Sequence, residues 1–182
     1  MIKYNVHDLF QRMDNDKVKD ISTKLSLPAA LILFNVDGGI NISMSIRSAA
    51  VFGFSDVYIV GKRKRDKRGD VGACNYIKVH QVHSINDDFF KENNLMPIVV
   101  EQNGSPLEEF NFTPYFPKSM CGHKVAFIVG SEQEGVNIKL NAPMITISQY
   151  GVMRSFNVAM ASSIVIYEYT RQWRKKVLKQ LV

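Results

Sequence analysis

Cysteine is nearly absent from this 182-residue chain: Cys74 and Cys121, beside four scattered histidines, form neither a disulfide framework nor a zinc spacing. The pair points to a reducing compartment, so the cytoplasm is the expected location, with the nucleus open in a eukaryote. No apolar run reaches the roughly 18 to 20 residues that span a bilayer. Met1-Ile2-Lys3-Tyr4-Asn5 lacks an apolar core behind basic residues, so it does not read as a signal peptide. G-x-G-x-x-G and G-x-x-x-x-G-K-[S/T] are both missing, which takes support from dinucleotide and P-loop readings. No internal repeat, linker or low-complexity tract is present. Neither a membrane nor a metal partner is expected.

What remains is a globular composition, 46% apolar and 22% charged, with a net charge of +6 and a length typical of one domain. The excess charge is clustered. Lys62-Arg63-Lys64-Arg65-Asp66-Lys67-Arg68 holds six cations in seven residues, and Arg171, Arg174, Lys175, Lys176 and Lys179 crowd the C-terminus. Either run alone fits a solvated loop or helix face. Two such runs in a short chain favour a polyanion, nucleic acid above all.

Apolar patterning predicts an α/β fold. Leu31 to Val36 reads as a strand buried on both faces. A helix over about 42–52 follows, with Asn41 or Ser43 as its N-cap, Arg47 on its second turn and Gly53 ending it. Val57 to Val60 is the next strand, which makes a β-α-β unit with parallel strands. Tyr76 to Val82, Pro97 to Val100, Val125 to Val129 and Met144 to Ile147 read as further strands. Asn86 to Asn93 reads as a short helix, and Gln102-Asn103-Gly104 as a turn. A final helix runs from Ser155, as its cap, to about Lys179. Its first part (Phe156, Val158, Ala159, Met160, Ala161, Ile164, Val165, Ile166) is apolar nearly all round and should be buried. Its later part narrows to Trp173, Val177, Leu178 and Leu181, with cations opposite. Residues 1–26 are polar and helical, anchored by Leu9, Phe10, Met13 and Val18. The expectation is one domain with a mostly parallel sheet of about six strands and helices on both faces.

Three segments combine small residues with orienting polar groups. Gly130-Ser131-Glu132-Gln133-Glu134-Gly135 follows a buried strand, where ligands of open α/β sheets bind, and its glycines admit close backbone approach. Gly151-Val152-Met153-Arg154-Ser155-Phe156-Asn157 leads into the last helix, whose N-terminus offers free N–H donors. Asn41 and Arg47 lie on the helix after the first strand, and an arginine fork suits phosphate or carboxylate. Taken singly, these fit an ordinary turn, a helix cap and a surface cation.

In order and spacing they resemble the three motifs of the TrmH-type SPOUT methyltransferases. Asn41, Arg47 and Gly53 match the first, Gly130, Glu132 and Gly135 the second, and Gly151, Ser155 and Asn157 the third, which leads into a helix containing Tyr167-Glu168. The resemblance covers about residues 30–172. It divides the single domain into an N-terminal helical extension (1–26), a catalytic core (27–172) and a basic helix end (173–182), without the family's added N-terminal RNA-binding domain. The chain departs from the pattern at Gly39 and Ser43, where the family usually has proline and glycine. It also has Ile147-Ser148-Gln149 for Ile-Pro-Met and Ser155-Phe156-Asn157 for Ser-Leu-Asn.

The resemblance implies a SPOUT fold with a C-terminal trefoil knot, a homodimer using the knotted region and last helix, and S-adenosyl-L-methionine as cofactor. The implied reaction is methyl transfer to a ribose 2′-hydroxyl of RNA, with tRNA favoured over rRNA. It places Arg47, Asn41, Ser155 and Asn157 in catalysis. Cofactor contacts fall on Val100, Gly130, Glu132, Gly135, Ile147, Ser155 and Phe156. RNA contacts fall on Arg47, Lys62, Arg63, Lys64, Arg65, Lys67, Arg68 and Arg154. The family's motif-one arginine has been proposed as a base, but a guanidinium holds its proton at neutral pH. Arg47 is better read as gripping and polarising the target nucleotide through its phosphate. A base-methylating SPOUT enzyme and a catalytically inactive SPOUT-fold RNA-binding protein are the alternatives.

Overall fold

The computed structural model describes residues 6–119, 122–131 and 133–180. Cys121, Glu132 and Leu181 therefore fall outside the described residues. In chain order the elements are α1 (Asp8–Gln11), α2 (Asn15–Leu25), β1 (Leu27–Phe34), α3 (Gly39–Val51), β2 (Phe54–Val60), α4 (Lys67–Asp70), β3 (Lys78–Val82), α5 (Asp87–Glu92), β4 (Leu95–Pro106), β5 (Lys124–Gly130), β6 (Met144–Thr146) and α6 (Val158–Gln180).

All six strands join one parallel sheet in the order β3-β2-β1-β5-β4-β6. The central strands are apolar on both faces because helices cover both. Ala29, Leu31, Leu33, Val57, Phe127 and Val129 pack with Ile42 and Ile46 of α3 and with Val165, Ile166 and Tyr169 of α6. On the opposite face, Ala30, Ile32, Tyr58, Val60 and Ile128 meet Phe90 of α5. The second core is smaller and is completed by Val136, Ile138 and Leu140.

Helices α3 and α6 lie side by side with their N-termini at the same sheet edge. Asn41 meets Asn157, Ser48 meets Ser163, and Phe52 meets Tyr167, so the two run parallel. Strand β4 departs from expectation. Instead of turning at Gln102-Asn103-Gly104 it continues to Pro106, bending around β6: Ile145 pairs with both Val100 and Ser105. Gly104 sits where any side chain would strike the Ile145 backbone. A polar stretch that reads as a turn is thus a strand that wraps its neighbour.

Several helix limits also shift. Helix α3 begins at Gly39 after a Gly38 N-cap, so Asn41 and Ser43 lie inside the helix and Arg47 on its third turn. The first half of α6 is not buried all round: Met160 and Tyr167 are exposed. Trp173 belongs to the core, its ring edge-on to Phe116 at 5.1 Å, whereas Leu178 faces solvent.

At the amino edge of the sheet, Asp56 is buried and takes bonds from Lys124, from Ser55 at 2.6 Å, and from His80, whose Nε2 is 2.8 Å away. Burial pushes its carboxyl up. The Lys124, Ser55 and His80 bonds outweigh that and hold it below the ordinary 3.8. A carboxylate lowered on folding stabilises the protein above its unfolded pKa, and that stabilisation is lost as pH falls through the folded value. Asp56→Asn is predicted to lower stability by about 1–3 kcal/mol at pH 7 and to flatten the loss of stability below pH about 4. Urea titrations between pH 3 and 7 measure both.

Candidate functional site

A cleft of about 310 Å³ opens at the carboxyl ends of β5 and β6 and the bend of β4, in the size range of small-molecule sites. Its wall is made by Val100, Gly130, Gly135, Ile147, Ser155 and Phe156, together with Glu101, Gln102, Ser131, Glu134 and Gln149. Six of the seven residues assigned to the cofactor from the sequence therefore line one cavity, and Glu132 lies outside the described residues.

The floor of the cleft is a tight turn. Gly135 N donates to Ser131 O at 3.0 Å and Glu134 N to Ser131 Oγ at 3.2 Å. Gly135 has φ +62°, a conformation that favours glycine, and a side chain there would collide with the Glu101 carboxylate. Glu101 Oε1 in turn accepts Val136 N at 2.6 Å. At Gly130 any Cβ would overlap the backbone of Gly135. At these two positions the turn is pressed so close to its surroundings that no side chain fits.

The other wall is the loop before α6. Gln102 Nε2 donates to Arg154 O at 3.2 Å, tying the bend of β4 to this loop. Ser155 lines the cleft but does not cap the helix. Asn157 does, with its Oδ1 accepting Ala159 N at 2.9 Å. Two residues with equal capping ability stand two apart, and the extended loop held by Gln102 selects the later one. Asn157 Nδ2 also donates to Asn41 Oδ1 at 3.1 Å. The first and third motifs, 116 residues apart, are thereby joined at the N-termini of α3 and α6.

Arg47 does not line the cleft. It is exposed on α3, and its side chain makes no hydrogen bond or ion pair with any described residue. It belongs to an outward stripe, Ile40, Met44, Arg47 and Val51, at helical spacing. Arg154 is exposed on the loop beside the cleft. Of the cations in the 62–68 run, Arg63 binds Asp37, Arg65 binds buried Asp70 and Arg68 binds Asp66. Hydrogen bonds from Arg68 hold Asp66 down to about 2. Among the described residues no group of acidic, histidine or cysteine side chains could hold a metal ion, and no helix is long and apolar enough to cross a membrane.

Glu101, Gln102 and Gln149 were missed by sequence reasoning. The signal for Glu101 was its place directly after Val100, obscured by ending the strand there.

An all-parallel sheet covered by helices, with a cleft at one edge, defines an open α/β protein. The SpoU rRNA Methylase family matches residues 28–167, and the chain belongs to that family. A curated relative, the tRNA (guanosine(18)-2'-O)-methyltransferase of Borreliella burgdorferi, is 24% identical over 150 residues, 78% of this chain and 66% of that protein. The chain thus spans just under two thirds of that relative's length. The A. aeolicus TrmH/SpoU tRNA modifying enzyme superposes with a TM-score of 0.73 at 20% identity, covering 89% of this chain and 83% of that one. The SpoU methyltransferase AviRb from Streptomyces viridochromogenes, solved with AdoMet, gives 0.65 at 18% identity over 84% of this chain and 60% of its own. These likenesses establish the fold.

Replacing Asn157 separates its two bonds. Asn157→Ala is predicted to lower stability by about 1 kcal/mol through loss of the cap. Asn157→Asp keeps an oxygen for Ala159 N and should retain most of that stability, although its donor to Asn41 is gone. Equilibrium urea unfolding of both variants checks the difference.

Proposed function

We propose that this protein is an S-adenosylmethionine-dependent RNA methyltransferase acting on a ribose 2′-hydroxyl, with tRNA as its substrate. The observation that carries this reading is the meeting of all three motif regions at one sheet edge, with a main-chain-lined cleft beside the Asn41–Asn157 bond. The relatives named above include a tRNA 2'-O-methyltransferase and a tRNA modifying enzyme, which supports tRNA. The cytoplasm is the proposed location.

The cleft suits the cofactor. Val100, Ile147 and Phe156 offer apolar surface for a purine, and the turn at Gly130 to Gly135 offers main-chain polar groups. Glu101 and Glu134 supply negative charge complementary to a sulfonium and an ammonium. S-adenosylmethionine held there would supply an electrophilic methyl group, its sulfur leaving as the neutral thioether of S-adenosylhomocysteine while the hydroxyl proton passes to solvent. The protein's part is alignment of these atoms and exclusion of alternatives. Ser155 and the Asn41–Asn157 pair orient the ribose, while the Arg47 guanidinium grips the adjoining phosphate.

Arg47 reaches the reaction through assembly in this reading. Ile40, Met44 and Val51 of α3 lie on the outer side of the same helix pair as Met160 and Tyr167 of α6, and all five are exposed. An apolar face of this kind suits a second copy of the chain, so the protein is proposed to be a homodimer with Arg47 within its contact face. The trefoil knot implied by the resemblance belongs to the same reading, and the wrapping of β4 around Ile145 supports it.

Incubation with total RNA and labelled cofactor, followed by mapping of methylated positions, tests the proposal. It predicts 2′-O-methyl groups in tRNA; methyl groups on bases, or no incorporation, contradict it. Arg47→Lys is predicted to lower kcat/KM about 10- to 100-fold through loss of the guanidinium fork, with cofactor affinity retained in calorimetry. A near-wild-type rate constant for Arg47→Lys contradicts the phosphate grip.

A further inference from the structure

The basic run divides into cations that hold the protein together and cations that hold nothing. Arg63, Arg65 and Arg68 are each bound to an aspartate. The side chains of Lys62, Lys64 and Lys67 are exposed and make no hydrogen bond or ion pair with any described residue.

The segment carrying these three lysines is firmly attached to α3. Asp66 N donates to Gly39 O at 2.9 Å, and Ser43 Oγ donates to Asp66 O at 2.5 Å. Ser43 is completely buried. At Gly39 a Cβ would stand 2.8 Å from Lys64 O, so the segment lies flush on the first turn of the helix. Asp66 Oδ1 also accepts Arg68 N at 3.0 Å, which starts α4. The attachment is thus made through main chain and a buried hydroxyl, and the lysine side chains remain free.

Position adds to this. The segment leaves the carboxyl end of β2, and the cofactor cleft lies at the carboxyl ends of β5 and β6 and the bend of β4, with β1 between them. The N-terminus of α3, with Asn41, stands in the gap. A strand of RNA whose ribose faces the cleft would extend along this edge over the lysines.

We propose that Lys62, Lys64 and Lys67 form a preformed rail for the sugar-phosphate backbone of the substrate RNA, and that Ser43 and Gly39 are the positioning residues that fix it to α3. This rests on the RNA methyltransferase reading and deepens it by assigning the path of the strand away from the cofactor. The contacts are ammonium to phosphate, so they position the RNA without reading its bases.

Anisotropy titrations of unfractionated tRNA between 50 and 300 mM KCl test the rail. Against the wild-type protein, the triple variant Lys62→Ala, Lys64→Ala, Lys67→Ala should bind about tenfold more weakly at 100 mM salt, with the log–log salt slope lower by about two. Its S-adenosylmethionine affinity in calorimetry should not move, and its KM for RNA should rise more than kcat falls. Ser43→Ala should raise KM for RNA severalfold at unchanged cofactor affinity. If Ser43 served stability alone, the melting temperature would fall while KM stayed put. An unchanged salt slope in the triple variant overturns the rail whether or not methyl groups are transferred. A lost slope in a protein that transfers no methyl group supports the rail and overturns the enzyme reading.

Discussion

Asn157 uses both ends of one amide. Its oxygen caps α6 through Ala159 N, and its nitrogen reaches Asn41 on α3. Those bonds place two parallel helix N-termini together at the carboxyl edge of the sheet. The loop before α6 is consequently held with Ser155 and Phe156 turned into the cleft. The rest of the site follows from this registration, because the second wall, the turn from Gly130 to Gly135, is already fixed to β4 by Glu101.

Along that edge the work is divided. The β4–β5–β6 side presents main chain and two carboxylates, a surface fit for a small cationic ligand. The β1–β2 side presents exposed lysines on a clamped segment. The proposed cationic cofactor and polyanionic substrate would thus meet surfaces of opposite sign, with the Asn41–Asn157 bond between them. The amino edge is different in kind: there Asp56, Lys124 and His80 satisfy one another and stabilise the fold.

Much of this was legible in the residues and some of it was not, for definable reasons. The strands were readable because a sheet covered on both faces needs continuous apolar runs, as in Leu31 to Val36 and Val125 to Val129. Strand order was not, since period and composition say nothing about which strand lies beside which. Gln102-Asn103-Gly104 misled because polar residues with a glycine suit a turn, whereas here the glycine makes room for the Ile145 backbone. The exposure of Met160 and Tyr167 was invisible to a hydrophobicity count, which cannot tell a core face from an exposed one. The departures at Gly39 and Ser43 read as local oddities until both were found against the 62–68 segment.

The claim on which all of this rests is that the cleft lined by the Gly130 turn holds S-adenosylmethionine. Calorimetry of the wild-type protein and of Gly130→Ala decides it. The account predicts micromolar binding to the wild type and at least tenfold weaker binding to the variant, whose added methyl would drive the Gly135 backbone out of place. No binding to the wild type, or equal affinity in both proteins, would contradict it.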